Sequence, residues 1–433
     1  MESLRTLPCP SAARRLGVSP ACDVARTTLA PFFHQDSLRQ SHLIKRAAQA
    51  DWHCLEIDLE GFERSLAADL SAAKSGLGIQ DGLFPYQLPA SSWWRYALAP
   101  HSYLGLDAGR CQVGLNYFNR FLHVDLRGFS AEMVDPGVGG ECLSTTNWFD
   151  AERGELWFAS WPVAQTAGRI RDPRADVTAS IWKHRLDGKG AVRVWQGPLG
   201  DSLHHLALCP DRRYAVLTEL GLYRDEKGVV PSCILVLDLQ TGQAWRLPVP
   251  TAGHVEFDPA DPRVCYVSSH HIALVGSKVG IFGPGAIHKF RLTAQGPQPS
   301  GMFSRPDFHR ITTHALFRHR DRTLMVVTGY PGTIFLVDAD TMTLFGSIAL
   351  GVAEPVDASA YPHICRLDSY GIAASEDGET LLVGGTGLFR RVDIPTGRTV
   401  ETQALPECGG GACFTGHLGS IARAGLPNGL SGG

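Results

Sequence analysis

Seventeen histidines stand in this chain, and some recur at one point of a repeating pattern. His205, His254 and His314 each open a short segment whose apolar residue follows three positions later, at Leu208, Phe257 and Phe317. TGHLGS around His417 matches AGHVEF around His254 and provides a fourth member. Neutral imidazole is the commonest protein ligand for late first-row metals. An all-imidazole set without thiolate suits one divalent ion, Fe(II), Mn, Cu or Zn, and does not suit the oxygen-seeking Ca or Mg. His205, His254, His314 and His417 are therefore the expected metal ligands, with open positions left for O₂ or a substrate oxygen. A single channel histidine is more often a hydrogen-bonded structural residue than a ligand. Four at one repeat position are harder to dismiss.

Other groups surround this set. Tyr103, Thr146 and Tyr370 occupy the corresponding point of other repeats, and His309 and His363 lie in the segments just before it. His309, His363, Tyr370 and Tyr103 are the candidates for proton transfer. His204 adjoins His205, and because adjacent strand residues face opposite ways, one of the two is expected to point inward. His270 and His271 follow an apolar strand. Glu219, Glu256 and Asp357 are candidates for fixing imidazole tautomers.

The elements that must position these residues repeat. CLEIDLEGFE, FLHVDLRGFS, IWKHRLDGKG, ILVLDLQTGQ, IHKFRLTAQG, IFLVDADTMT and FRRVDIPTGR each read as strand, small polar turn, strand. Their marker residues Asp58, Asp125, Arg185, Asp238, Arg291, Asp338 and Asp393 are spaced by 47 to 67 residues. A second element, as in HLALCPDRRYAVLTE and HVEFDPADPRVCYVSS, precedes most of them. Seven hairpins at this period predict an all-β chain, a seven-bladed β-propeller of four-stranded blades. The hairpin at Asp58 has no recognisable inner pair before it, and TGHLGSIARA has no hairpin after it. The two ends are thus expected to share one blade, a velcro closure that removes sheet edges. Residues 63–77 have helical periodicity and read as a short helical insertion. Residues 26–433 form the single propeller domain, and disorder is the expectation for residues 1–25. The long stretches at 162–180 and 221–232 read as blade insertions over one face.

Composition narrows the function classes. A net charge of −3 gives no electrostatic case for a nucleic-acid or membrane-surface partner. No apolar run approaches the roughly 18 residues that a membrane span needs. The N-terminus carries arginines but no apolar core of a secretory signal. The 11 cysteines are odd in number and lack framework spacing, which points to reduced thiols and a cytoplasmic location. Cys408 and Cys413 are not a CxxC pair, so no structural zinc is expected. The sequence does not fix an oligomeric state.

On these residues two families offer a resemblance. His205, His254, His314 and the late His417 resemble in spacing the four channel histidines of carotenoid-cleavage oxygenases, which implies seven blades and Fe(II). The stretches GHVEFDPADPRVCYVSSH and THALFRHRDRTLMVV look like blade starts of oligogalacturonate lyases, which implies a histidine-bound Mn(II). Both resemblances cover architecture and repeat positions. The expectation is a metal-dependent oxidoreductase acting on a small apolar or phenolic substrate. One alternative is a metal-assisted lyase of an acidic sugar, with Arg310, Arg318 and Arg366 at the mouth. Another is an interaction propeller with no metal and an exposed apolar face.

Overall fold

The computed structural model describes residues 4–7, 27–34, 39–46, 53–58, 101–107, 112–117, 120–125, 130–150, 153–162, 165, 176–185, 187–188, 190–199, 203–219, 224–225, 228–229, 232–270, 272–275, 278–281, 284–306, 309–330, 333–350, 369–374, 378–385, 388–404 and 413–415. Nearly all of them are strands. The apolar and polar alternation of the repeats forms six antiparallel four-stranded sheets, at 101–134, 141–199, 203–248, 252–304, 309–349 and 369–404. Each is a meander in which consecutive strands pair, as expected where short polar turns join alternating strands.

The marker residues of the sequence repeat fall where hairpins require them. Asp125, Arg185, Asp238, Asp338 and Asp393 end the third strand of their sheets, and Arg291 lies two residues before such an end. At Asp238 and Asp338 the carboxylate caps the turn, accepting the N–H groups of Gln240 and Thr241, and of Asp340 and Thr341. Asp393 does the same for Thr396. Each turn then closes through a left-handed residue, Gly242, Met342 or Gly397, whose N–H reaches the aspartate carbonyl at 2.8 Å.

The N-terminal region departs from expectation. Asp58 does end a strand, His53–Asp58, but its outer neighbour is Leu4–Leu7, not the residues that follow. The inner pair that seemed missing is Thr27–His34 with Arg39–Arg46. Pro31 and the polar run RQS hide the alternation there. Cys413–Thr415 pairs with Thr27–His34, completing a five-stranded sheet from both ends of the chain. The expected helix at 63–77 lies outside the described residues.

The first strands of successive sheets adjoin one another, from His101–Asp107 through Ser369–Ala374. Cys413–Thr415 touches the latter and Thr27–His34 touches the former. Apolar cores lie between neighbouring sheets. Val216, Val236 and Tyr214 meet Val255, Cys265 and Val267; Tyr266 and Ile287 meet Met325, Val327 and Val337; Leu324 and Val326 meet Ile372, Leu381 and Val383. Full burial of each such side chain contributes about 1.5–3 kcal/mol. Polar latches add direction: Arg212 from the 203–248 sheet grips buried Asp150 of the 141–199 sheet through two nitrogens. Glu256 accepts the Leu316 N–H of the next sheet at 3.1 Å.

Candidate functional site

The innermost strand of every four-stranded sheet slips register near its start. The slips bracket residues 102–104, 144–146, 204–205, 253–254, 310–312 and 370. A bulge opposes extra residues to one strand partner and re-aims their side chains. The position that the sequence pattern singled out coincides with this bulge at Tyr103, Thr146, His205, His254 and Tyr370, and falls just past it at His314. A bulge also leaves backbone N–H groups without ladder partners, and hydroxyls on the second strand accept them here. Thr218 Oγ1 accepts His205 N–H at 3.0 Å and donates to the Gly253 carbonyl at 2.5 Å. Ser268 Oγ accepts His254 N–H at 2.8 Å. These hydroxyls were missed in the sequence, although small or hydroxyl residues recur there at Ser160, Thr218, Ser268 and Thr328.

The bulges gather four imidazoles from two neighbouring sheets. His204 and His254 are buried, with their Nε2 atoms 3.3 Å apart. The His205 ring stands 5.0 Å from that of His254, centroid to centroid. His270 lies 6.4 Å from both His204 and His254. The expectation that only one of His204 and His205 would face this region fails, because strict alternation does not survive the bulge. Gly253 makes room for His270: a Cβ there would collide with its ring and lie 2.7 Å from Ser268 Oγ. In the preceding sheet the position matching Gly253 carries His204, so His270 fills a space that a second bulge histidine would otherwise take.

Burial sets the protonation of this cluster. His205 is held far below the usual imidazole range, to about 3, by desolvation first and by the charge of His314 second. It is neutral at pH 7. The His204 and His254 nitrogens, at hydrogen-bond distance, can share one proton as donor and acceptor.

The expected ligand set is placed only in part. His254 and His205 are in the cluster. His314 is buried, with Nε2 3.2 Å from the Tyr266 carbonyl, and lies near enough to His205 for its charge to act there. His417 and His363 lie outside the described residues, as does Asp357. Tyr103, His309 and Tyr370 lie on inner strands, but their side chains are outside what the structure describes. Glu219 is buried against Arg246. Arg318 is exposed and donates to Thr323 beside the 320–321 turn, at the strand end away from the cluster. Arg310 has no described side chain, and Arg366 lies outside the described residues.

Two nitrogens bound at about 2.0–2.1 Å to one tetrahedral ion stand roughly 3.3 Å apart, which is the separation of His204 and His254. Among the described residues no three His, Cys, Asp or Glu side chains converge as a complete set. The pair thus fits as half of a site.

No protein-family model and no curated protein matches the chain. Among solved structures, one described as dihydro-heme d1 dehydrogenase NirN in complex with DHE is similar over 98% of this chain and 81% of its own, with a TM-score of 0.51 and 11% identity. That neighbour is a propeller. This chain has a β-propeller architecture. At this identity the likeness concerns the fold alone, and fold does not carry activity.

Proposed function

We propose that the protein is a seven-bladed propeller, closed by its two ends, that works as a metal-dependent oxidoreductase with one divalent ion at the axial histidine cluster. Support for seven blades comes from the six four-stranded sheets, the five-stranded sheet drawn from both termini, and the succession of inner-strand contacts. Support for the site rests on one observation, the 3.3 Å separation of the buried His204 and His254 nitrogens. His204 and His254 would hold the metal. His205 stands beside them, and His417 is the candidate from the chain's end. Imidazoles without thiolate suit Fe(II), Mn, Cu or Zn, and the resemblance to the channel histidines of carotenoid-cleavage oxygenases puts Fe(II) first. When bound, such an ion supplies Lewis-acid and one-electron chemistry at open positions.

The chain's own residues prepare the site. Burial keeps His205 neutral at pH 7, so no fixed positive charge repels a cation. Thr218 and Ser268 hold the bulged backbone that aims the rings. A neutral imidazole binds through one nitrogen and keeps its proton on the other, so the Nε2 proton between His204 and His254 would move to an Nδ1 when both nitrogens serve as ligands, and uptake is expected to weaken at low pH, where protonation competes. Among the described residues the exposed apolar side chains Val192, Met302, Phe345 and Val400 lie on the outer strands of four different sheets, which does not favour an interaction propeller. A small substrate is the fitting partner.

The test is metal content and Fe(II), Mn(II) and Zn(II) titration of the purified full chain. One equivalent bound by the wild type, and none by His204→Ala or His254→Ala, is expected. A protein that binds no ion above background, or binds equally in both variants, removes the proposal.

A further inference from the structure

Among the described residues, Arg212, Thr251, Arg320 and Met342 are the non-glycine positions with left-handed backbone. Three of them close hairpins. Arg212 lies between Leu203–Leu208 and Tyr214–Glu219, Arg320 between His309–His319 and Arg322–Tyr330, and Met342 between Thr333–Asp338 and Thr343–Ala349. Thr251 lies elsewhere, on the path between sheets that leads from Ala244–Pro248 to Ala252–Phe257, the strand of His254. Its φ is 46° and it is 4% exposed. Pro250 precedes it, and a proline followed by positive φ is the centre of a type II turn, whose third position takes glycine or asparagine. Threonine stands there instead. Its branched Cβ makes this conformation an outlier, and such strain persists only where the surroundings over-determine it.

One short stretch does the holding. Ser268, Ser269 and His270, consecutive in the chain, each fix one point of the path. Ser268 Oγ accepts the His254 N–H at 2.8 Å. Ser269 Oγ donates to the Pro250 carbonyl. His270 N–H donates to the Thr251 carbonyl at 3.2 Å. Just upstream, Ser232 Oγ donates to the Val249 carbonyl, and Val249 N–H donates to the Ser232 carbonyl at 3.3 Å. The preceding sheet is built differently at the matching point. Leu203 pairs with Glu219 as Ala252 pairs with Ser269, and Glu219 is bound to Arg246. The clamp therefore belongs to the approach to His254. It connects Thr251 to both clustered histidines of this sheet, to His254 three residues on and to His270 through its N–H.

We infer that Thr251 is a positioning residue for the histidine cluster: its buried, branched side chain, held in a left-handed turn by Ser269 and His270, fixes where the His254 strand begins and so brings the Nε2 atoms of His254 and His204 to 3.3 Å. A β-branched side chain has few rotamers, so the entry of the strand is stiff where glycine would leave it loose. Only the consequence for ion uptake rests on the proposed metal site; the meeting of the two rings is a property of the metal-free protein.

The experiment is heteronuclear NMR of the metal-free full chain with isotope-labelled histidines, beside thermal unfolding and Zn(II) titration. In the wild type an imidazole proton correlated with nitrogens of two histidines is expected, assigned by its loss in His254→Ala. Thr251→Gly relieves the strain and raises the freedom of the unfolded chain, effects that oppose each other, so its unfolding temperature is expected to stay close to that of the wild type. The shared proton is expected to disappear from this folded variant, and Zn(II) to bind about tenfold more weakly. Thr251→Asn, which tolerates left-handed backbone, is expected to do the same and carries the test if the glycine variant unfolds. A merely structural role would lower the unfolding temperature and spare the ring pair. A shared proton retained in either folded variant, its absence from the wild type, or loss of the fold in both variants overturns the positioning role. A shared proton that depends on Thr251 in a protein that takes up no ion overturns the metal site and leaves the positioning role standing.

Discussion

At the scale of single residues, Gly253 and His205 control the cluster in different ways. Gly253 matters for what it lacks. Its missing side chain lets the His270 ring pack against the bulged strand, so Gly253→Ala must expel that ring or distort the bulge. Overpacking of this kind costs about 1–3 kcal/mol. A lower denaturant midpoint and displaced imidazole resonances for His270 and His254 are the expected result; unchanged resonances would contradict the packing. His205 matters for what it refuses. Its pKa falls from 6.5 to about 3 on folding. The unfolded chain therefore binds a proton that the native state excludes. The cost of this exclusion is absent above about pH 6.5, grows as pH falls toward about 3, and levels off below, so stability declines over that window. His205→Asn should flatten that part of the acid profile, measured as denaturant midpoints at pH 7 and pH 4.5. A variant as acid-sensitive as the wild type would count against a neutral buried His205.

At the scale of elements, the bulge is the unit that builds the site, and the second-strand hydroxyl is what makes the bulge affordable. Thr218→Val keeps the shape and removes the acceptor for His205 N–H and the donor to Gly253 C=O. A buried donor left without its partner costs about 1–3 kcal/mol. Thr218→Val and Ser268→Ala are each expected to lose stability on this scale and to weaken metal uptake as well, read by thermal unfolding and ion titration. A conserved Tm with conserved uptake would show that the bulges hold without them. The hairpin turns obey simpler rules. Gly242 has φ of 73° and open space around its Cβ position, so Gly242→Ala should cost about 1 kcal/mol from backbone strain alone. These turns were legible in the sequence because aspartate, threonine and glycine act through local hydrogen bonds. The inner strands of the N-terminal sheet were not, because Pro31 and the polar residues of RQSHLIKR break the apolar pattern that marks a strand.

At the scale of the whole molecule, stability passes from sheet to sheet through the apolar cores and a few polar latches. Asp150 is 2% exposed and held by Arg212 from the next sheet. Asp150→Ala removes a buried carboxylate that holds Arg212 of the next sheet through two nitrogens, and losing hydrogen bonds to a charged group costs about 1.5–3 kcal/mol. A loss of that order in chemical denaturation is expected, and a near-neutral effect would mean the latch is dispensable. The ends of the chain offer a second test. Cys413–Thr415 joins Thr27–His34 in one sheet, so truncation before residue 409 should bare a strand edge, lower the Tm and promote association.

The sequence by itself determined the all-β class, the hairpin period and the position in the repeat where histidines recur, because alternation, turn residues and recurrence are local properties. Tertiary structure decided which imidazoles meet. His204 and His270 join His205 and His254, and His314, whose Nε2 lies 3.2 Å from the Tyr266 carbonyl, is near enough for its charge to act on His205. That outcome depends on bulges, on a glycine's empty space and on the approach of two sheets, and no spacing along one chain encodes the distance between rings on neighbouring sheets.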